Sequence, residues 1–261
     1  MPSVTRVSPS VVRPPPARAP QTAAPQQTDR ELQRLQAQAE QTYASLIAQG
    51  ARIQVTRSAG NNGRPVVTVI PPALANNRDP NVRYDVQVHY HGMHGTVARP
   101  NPNSPVRRRI EESFNRTPPT VFVLPETENV QMRGGMGPVW ANAVRDTAQT
   151  AADGVAGVVG TRRQLTVSAH SLGRDALISA IRHGGLRADR VDVQDGFSNN
   201  RTDQMRMFYD WATRPENQRI PIRVSTGMST RDSIRRHAPF PDSVFSRSYA
   251  SDHWGAELAP W

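Results

Sequence analysis

The stretch Gln164-Leu-Thr-Val-Ser-Ala-His-Ser-Leu-Gly-Arg-Asp-Ala-Leu-Ile-Ser-Ala-Ile-Arg-His183 changes its hydrophobic period at a single residue, Ser171. Before it, Leu165 and Val167 alternate with polar neighbours, as in a strand; after it, Leu172, Ala176, Leu177, Ala180 and Ile181 recur at helical spacing. A strand that turns directly into a helix leaves little room at the corner. The residues two before and two after the serine therefore need to be small, and they are Ala169 and Gly173. Leu172 opens the helix, so its N–H lacks an intrahelical acceptor and can face a developing negative oxygen.

The remaining chain supplies the elements around this corner. Arg52 to Thr56 and Val66 to Ile70 read as two antiparallel strands, joined by a turn containing Gly60-Asn-Asn-Gly63. Tyr84 to Tyr90 is a further strand, leading into His89-Tyr-His-Gly-Met-His-Gly95. Pro105 to Asn115 is expected to be a helix that exposes Arg107 to Arg109, and Thr120 to Leu124 a buried strand. A polar, glycine-rich loop, Glu126 to Gly137, precedes a helix expected from Pro138 to about Val155, with Val139, Trp140, Val144 and Ala148 on its apolar side. After the serine corner come a strand from Arg190 to Gln194, with Asp195 at its carboxyl edge, and a helix capped by Thr202. That helix buries Met205, Phe208, Tyr209 and Ala212, and a strand from Ile220 to Thr226 follows it. Alternating strands and helices predict an α/β fold with a mostly parallel sheet and helices on both faces. Ligands of such sheets sit beyond the carboxyl ends of the strands, where His89 to Gly95, Ser171, Asp195 and Gly227 to Asp232 all fall.

Two segments precede this domain. Residues 1–28 are rich in Pro, Ala and Gln and lack the apolar content that would offset ordering entropy, so a disordered tail is expected. Residues 29–50 read as a helix with Asp29 as N-cap, Gly50 as its stop and an apolar stripe of Leu32, Leu35, Ala39, Tyr43, Leu46 and Ile47. The stripe is expected to cover the domain formed by residues 51–261, although a partner protein could use this N-terminal region.

The 261 residues contain no cysteine, which excludes disulfides, thiolate metal sites and a cysteine nucleophile. The net charge is +10, and every basic residue in that sum is arginine. The arginines are scattered, so nucleic acid is not expected as a partner despite the charge. No apolar run approaches a membrane span and no signal-peptide core is visible, which predicts a cytoplasmic protein, with signal-independent export left open.

Ala169-His-Ser-Leu-Gly173 resembles the nucleophile elbow of the α/β-hydrolase family, with Ala169 in place of the more usual first glycine. Arg174 stands where many members have another glycine, which is expected to put bulk and charge beside the pocket. The resemblance implies a serine hydrolase acting on a carboxylic ester or amide of a small-molecule or acyl substrate, with no cofactor and no metal. It implies Ser171 as nucleophile. His253 in Ser251-Asp-His-Trp-Gly255 fits the base, and His237 is a spare. The acid is Asp195 or Asp232. Asp195 is favoured because Val191-Asp-Val-Gln-Asp-Gly-Phe197, with Phe208 and Trp211 beyond it, resembles a bacterial subgroup that places its aspartate there. The oxyanion hole would draw on Leu172 and on His91, Gly92 and Met93, with Met93 or a neighbour giving the second N–H. Two rivals remain. One is a binding protein that kept the fold and lost turnover. The other is a zinc metallohydrolase, since His89, His91 and His94 spell a spacing similar to the first metal motif of the metallo-β-lactamases, though Met93 replaces the aspartate usual there.

Overall fold

A computed structural model describes residues 25–91, 106–126, 144–194, 196–197, 202–226 and 228–246. Its strands are β1 (Arg52–Ser58), β2 (Arg64–Ile70), β3 (Arg83–Tyr90), β4 (Thr120–Pro125), β5 (Thr161–His170), β6 (Arg190–Gln194), β7 (Ile222–Ser225) and β8 (Phe245–Ser246). The helices are α1 (Pro25–Thr42), α2 (Ala44–Ala48), the short α3 (Pro72–Ala75), α4 (Val106–Ser113), α5 (Thr147–Gly154), α6 (Arg174–Arg182), α7 (Thr202–Ala212) and α8 (Met228–His237). The strands form one eight-stranded sheet in the order β1-β2-β4-β3-β5-β6-β7-β8. β2 runs antiparallel to both β1 and β4, and every other neighbouring pair is parallel. The β1–β2 turn is shaped by Asn62 (φ +54) and Gly63 (φ +72), both in the left-handed region that Asn and Gly adopt most readily.

Alternation along the strands sorts side chains onto two faces. Val86, Val88 and Tyr90 of β3, Leu165, Val167 and Ala169 of β5, and Val191 and Val193 of β6 join one apolar cluster with residues of α5, α6, α7 and α8. A second cluster lies on β1, β2 and β4, where Ile53, Val67, Val69, Phe122 and Leu124 meet Ala39, Tyr43 and Leu46 of the N-terminal helices and Val106 and Ile110 of α4. Helices thus cover both faces, as the alternating pattern predicts. The intervening positions on β3, β5 and β6 are polar yet buried: Gln87, His89, Ser168, His170, Asp192 and Gln194. Pairing offsets much of the cost of burying them: Gln87 and His89 meet Ser168. Arg223 donates two hydrogen bonds, each 3.0 Å, to the Asp192 carboxylate, and the Gln194 amide donates a third at 2.6 Å.

Four expectations are corrected. The N-terminal helix already includes Pro25, so residues 25–28 are helical and Asp29 lies inside the helix and is not its cap; it also breaks at Tyr43 into α1 and α2. Its stripe covers the sheet through Leu35, Ala39, Tyr43 and Leu46, while Ile47 is exposed. Gln36 adds a polar anchor on the edge strand: its amide donates to the Ile53 carbonyl at 3.0 Å and accepts from the Val55 N–H at 2.8 Å. On α4, Arg107 and Arg108 are exposed and pair with Glu111 and Glu112, but Arg109 is buried. Three consecutive helical residues span too much of the helix circumference to share one face. The helix expected from Pro138 is interrupted: residues 144–146 are not helical, and Asp146 caps α5 by accepting from the N–H groups of Ala148 and Gln149. Residues 127–143, including Pro138, Val139 and Trp140, lie outside the described residues. On α7, Trp211 is buried against Phe208, while Tyr209 is half-buried and meets Phe240 edge-on. Among the described residues no helix is long and apolar enough to cross a membrane.

Candidate active site

The ten residues of β5 run between β3 and β6, parallel to both, and end at His170 with φ −109° and ψ 134°. The next residue, Ser171, has φ +51°. The chain then turns through a single 3-10 turn, Ser171–Gly173, into α6. A side chain with a Cβ pays about 1–2 kcal/mol to sit in this left-handed region. Apart from Asn62 in the β1–β2 turn, Ser171 is the non-glycine position held there among the described residues.

The corner is tight for an identifiable reason. A Cβ on Gly173 would lie 2.2 Å from the Tyr90 carbonyl oxygen and 3.0 Å from that of His91, so the last step of β3 occupies the space. Ala169 is fully buried in the sheet cluster. The small residues at both positions are therefore required by packing against β3 and the core. Ser171 and Leu172 are half-buried, which leaves the corner partly open. The N–H of Leu172 belongs to the first turn after the strand, where helical N–H groups lack intrahelical acceptors. Half-buried His91 follows β3 directly, with its backbone against Gly173. Tyr90 beneath it is fully buried, and burial pushes its phenol well above the ordinary tyrosine value.

On the other side, β6 runs in register with β5 so that Gln194 pairs with His170. Gly196 comes close to the corner: a Cβ there would stand 3.6 Å from the Ser171 carbonyl oxygen and 3.3 Å from the Arg174 Cβ. Arg174 departs from expectation. It is buried, and its guanidinium serves internal partners, donating to the Gly196 carbonyl at 2.5 Å and to the Gln204 amide oxygen of α7 at 2.9 Å. Asp175 lies 3.6 Å from the same guanidinium and accepts from Gln204 at 2.8 Å. Phe197 then packs against Phe208 of α7, ring centroids 5.5 Å apart. Nothing local in the sequence indicates this clamp, because its partners lie far along the chain on other elements.

Of the residues expected at the site, the structure brings together Ser171, Leu172 and the backbone of His91. Gly92, Met93, His94, Asp195 and His253 lie outside the described residues. Asp232 follows β7 as expected, but it lies within α8, which starts at Met228, and it is exposed there. His237, half-buried, closes α8. His89 sits on β3 itself, buried, with its Nδ1 2.9 Å from the Ser168 hydroxyl, which also accepts from the Gln87 amide at 3.0 Å. No group of three or more potential metal ligands occurs among the described residues.

No known family's sequence model matches the chain, and no curated protein sequence matches it. Solved structures do match. The feruloyl esterase module from Clostridium thermocellum complexed with sinapinate is 14% identical, with a TM-score of 0.50 over 83% of this chain and 87% of that one. A ferulic acid esterase is 13% identical, with a TM-score of 0.48 over 80% of this chain and 94% of that one. An S-formylglutathione hydrolase from Agrobacterium tumefaciens is 11% identical, with a TM-score of 0.47 over 80% and 92%. The strand order, the antiparallel β2 and the covering helices are those of the α/β-hydrolase fold, and it is the fold that the likeness to the feruloyl esterase module concerns.

Proposed function

We propose that this α/β-hydrolase fold is a serine hydrolase that cleaves a carboxylic ester or amide through an acyl-enzyme. Ser171 is the nucleophile, His253 the base and Asp195 the acid, and residues 51–261 form the catalytic unit. The observation that carries the reading is Ser171 itself: a half-buried serine forced to φ +51° at the carboxyl end of a central parallel strand. Strain of this kind persists where surrounding packing holds it and function uses it. Asp195 is favoured over Asp232 because its neighbour Gly196 is packed beside Ser171, whereas Asp232 is an exposed residue of α8.

In this mechanism His253 takes the hydroxyl proton as Ser171 attacks the carbonyl carbon, and Asp195 stabilises the resulting imidazolium. The N–H of Leu172 and one from His91, Gly92 or Met93 receive the negative charge on the carbonyl oxygen. The imidazolium then protonates the leaving alcohol or amine. Water, deprotonated by the same imidazole, hydrolyses the acyl-serine and restores the hydroxyl. The rival reading of a fold without turnover takes Arg174 and the long N-terminal tail as its features; the Arg174 charge, however, is bound by internal partners.

Hydrolysis of p-nitrophenyl acetate by the full chain tests the proposal. The expected result is a burst of nitrophenol stoichiometric with enzyme, lost in Ser171→Ala and reduced by roughly 10³-fold or more in His253→Ala. Turnover that persists unchanged in Ser171→Ala contradicts it.

A further inference from the structure

We infer that Arg174 is a positioning residue for this reaction, tying the segment that follows β6 to the nucleophile corner. The inference rests on the hydrolase reading above for its consequence, but the tie itself is visible in the side-chain contacts.

Arg174 is the first residue of α6. A cation at a helix N-terminus opposes the helix dipole, and burying it adds a desolvation penalty. Both are unfavourable, so the position needs compensating partners, and it has them. The planar guanidinium reaches the Gly196 carbonyl with one nitrogen and Gln204 of α7 with another, while Asp175 offsets the charge. A fork of fixed geometry can bridge two elements in this way; a single ammonium group cannot reproduce both directions. Gly196 itself packs against Val193, the Arg174 stem and the Ser171 carbonyl, and Phe197 is anchored in the aromatic cluster of α7. Gly196 is thereby held against the corner that carries Ser171, and Phe197 against α7. Asp195, the acid of the proposed triad, directly precedes Gly196 in the chain. A carboxylate that must orient an imidazole tolerates little displacement, so holding the residue joined to it is a direct way for a residue that never touches substrate to govern rate.

The test compares the full chain with Arg174→Met, which keeps the buried stem and removes the donors, and with Arg174→Lys. Amide hydrogen exchange across residues 193–197 reads the tie, and p-nitrophenyl acetate kinetics read its consequence. In Arg174→Met exchange is expected to rise about tenfold or more in that segment. Turnover is expected to fall about 10- to 100-fold with KM within about threefold, as for other small misplacements of catalytic groups. The acidic limb of the kcat/KM profile should move to lower pH, because an imidazolium less supported by its carboxylate gives up its proton more easily. Arg174→Lys should recover part of each effect. A folded Arg174→Met with unchanged exchange and kcat within twofold overturns the inference. If the unmodified chain shows no hydrolysis, it is the hydrolase reading that fails, and the exchange comparison still decides the tie. Should Arg174→Met not fold, Gln204→Leu reads the same quantities at smaller amplitude, and unchanged values there overturn the inference as well.

Discussion

Replacing Ser171 by glycine and by alanine should give a reversal of the usual stability order. Both variants remove the hydroxyl, so the comparison isolates the backbone. In a regular helix or strand, glycine is less stable than alanine by about 0.5–1 kcal/mol, because the unfolded chain loses more freedom on folding. At Ser171 the backbone is held at φ +51°. There alanine retains the left-handed penalty of about 1–2 kcal/mol that glycine escapes. Set against glycine's entropic disadvantage of about 0.4–1 kcal/mol, the balance favours Ser171→Gly by about 0–1.5 kcal/mol. Half-buried Ser171 has a small side chain, so lost packing does not dominate the difference. Urea denaturation of the two variants, with equal m-values as the check on two-state behaviour, measures it directly. If Ser171→Ala is more stable than Ser171→Gly by about 1 kcal/mol, as at an ordinary position, the strained corner does not exist and the functional argument built on it fails.

Gly173→Ala places a methyl group 2.2 Å from the Tyr90 carbonyl oxygen, so β3 and the corner have to separate by roughly an ångström. Destabilisation of about 2 kcal/mol or more, with loss of Ser171 reactivity, is expected in denaturation and labelling experiments. Gln36→Ala leaves the Ile53 carbonyl and Val55 N–H of the edge strand without their side-chain partner. A fall in stability of about 1–3 kcal/mol follows, together with faster exchange of the Val55 amide. Stability should also decline above pH 10. Burial raises the phenols of Tyr43 and Tyr90 above the ordinary 10.0, so the folded state keeps protons that the unfolded state releases. Stability is then complete below that value and lost as pH rises through the folded ones, with a slope approaching about 1.4 kcal/mol per pH unit for each tyrosine. The double variant Tyr43→Phe, Tyr90→Phe should flatten the profile.

The parts of this fold that could be read from sequence are those governed by short-range periodicity. The change of period at Ser171 located β5, the corner and α6, and the Gly60-Asn-Asn-Gly63 turn located the β1–β2 hairpin. Misreadings arose where a local pattern continued through an interruption made by other elements. The apolar spacing ran past Asp146 although its side chain starts α5. Arg107 to Arg109 looked uniformly solvated, but helix geometry turns Arg109 inward. Contacts between distant residues left no trace in the sequence. Arg174 depends on Gly196 and Gln204, and Gln36 on the backbone of β1, so neither role can be found by inspecting neighbours along the chain.

The most direct test of the account is reaction of the folded full chain with a fluorophosphonate probe, followed by peptide mass spectrometry. The account predicts a single phosphonylated residue, Ser171, with labelling lost in Ser171→Ala and retained when the protein is stripped of metals by chelation. Absence of labelling in a well-folded sample, or a label carried by another residue, would contradict it.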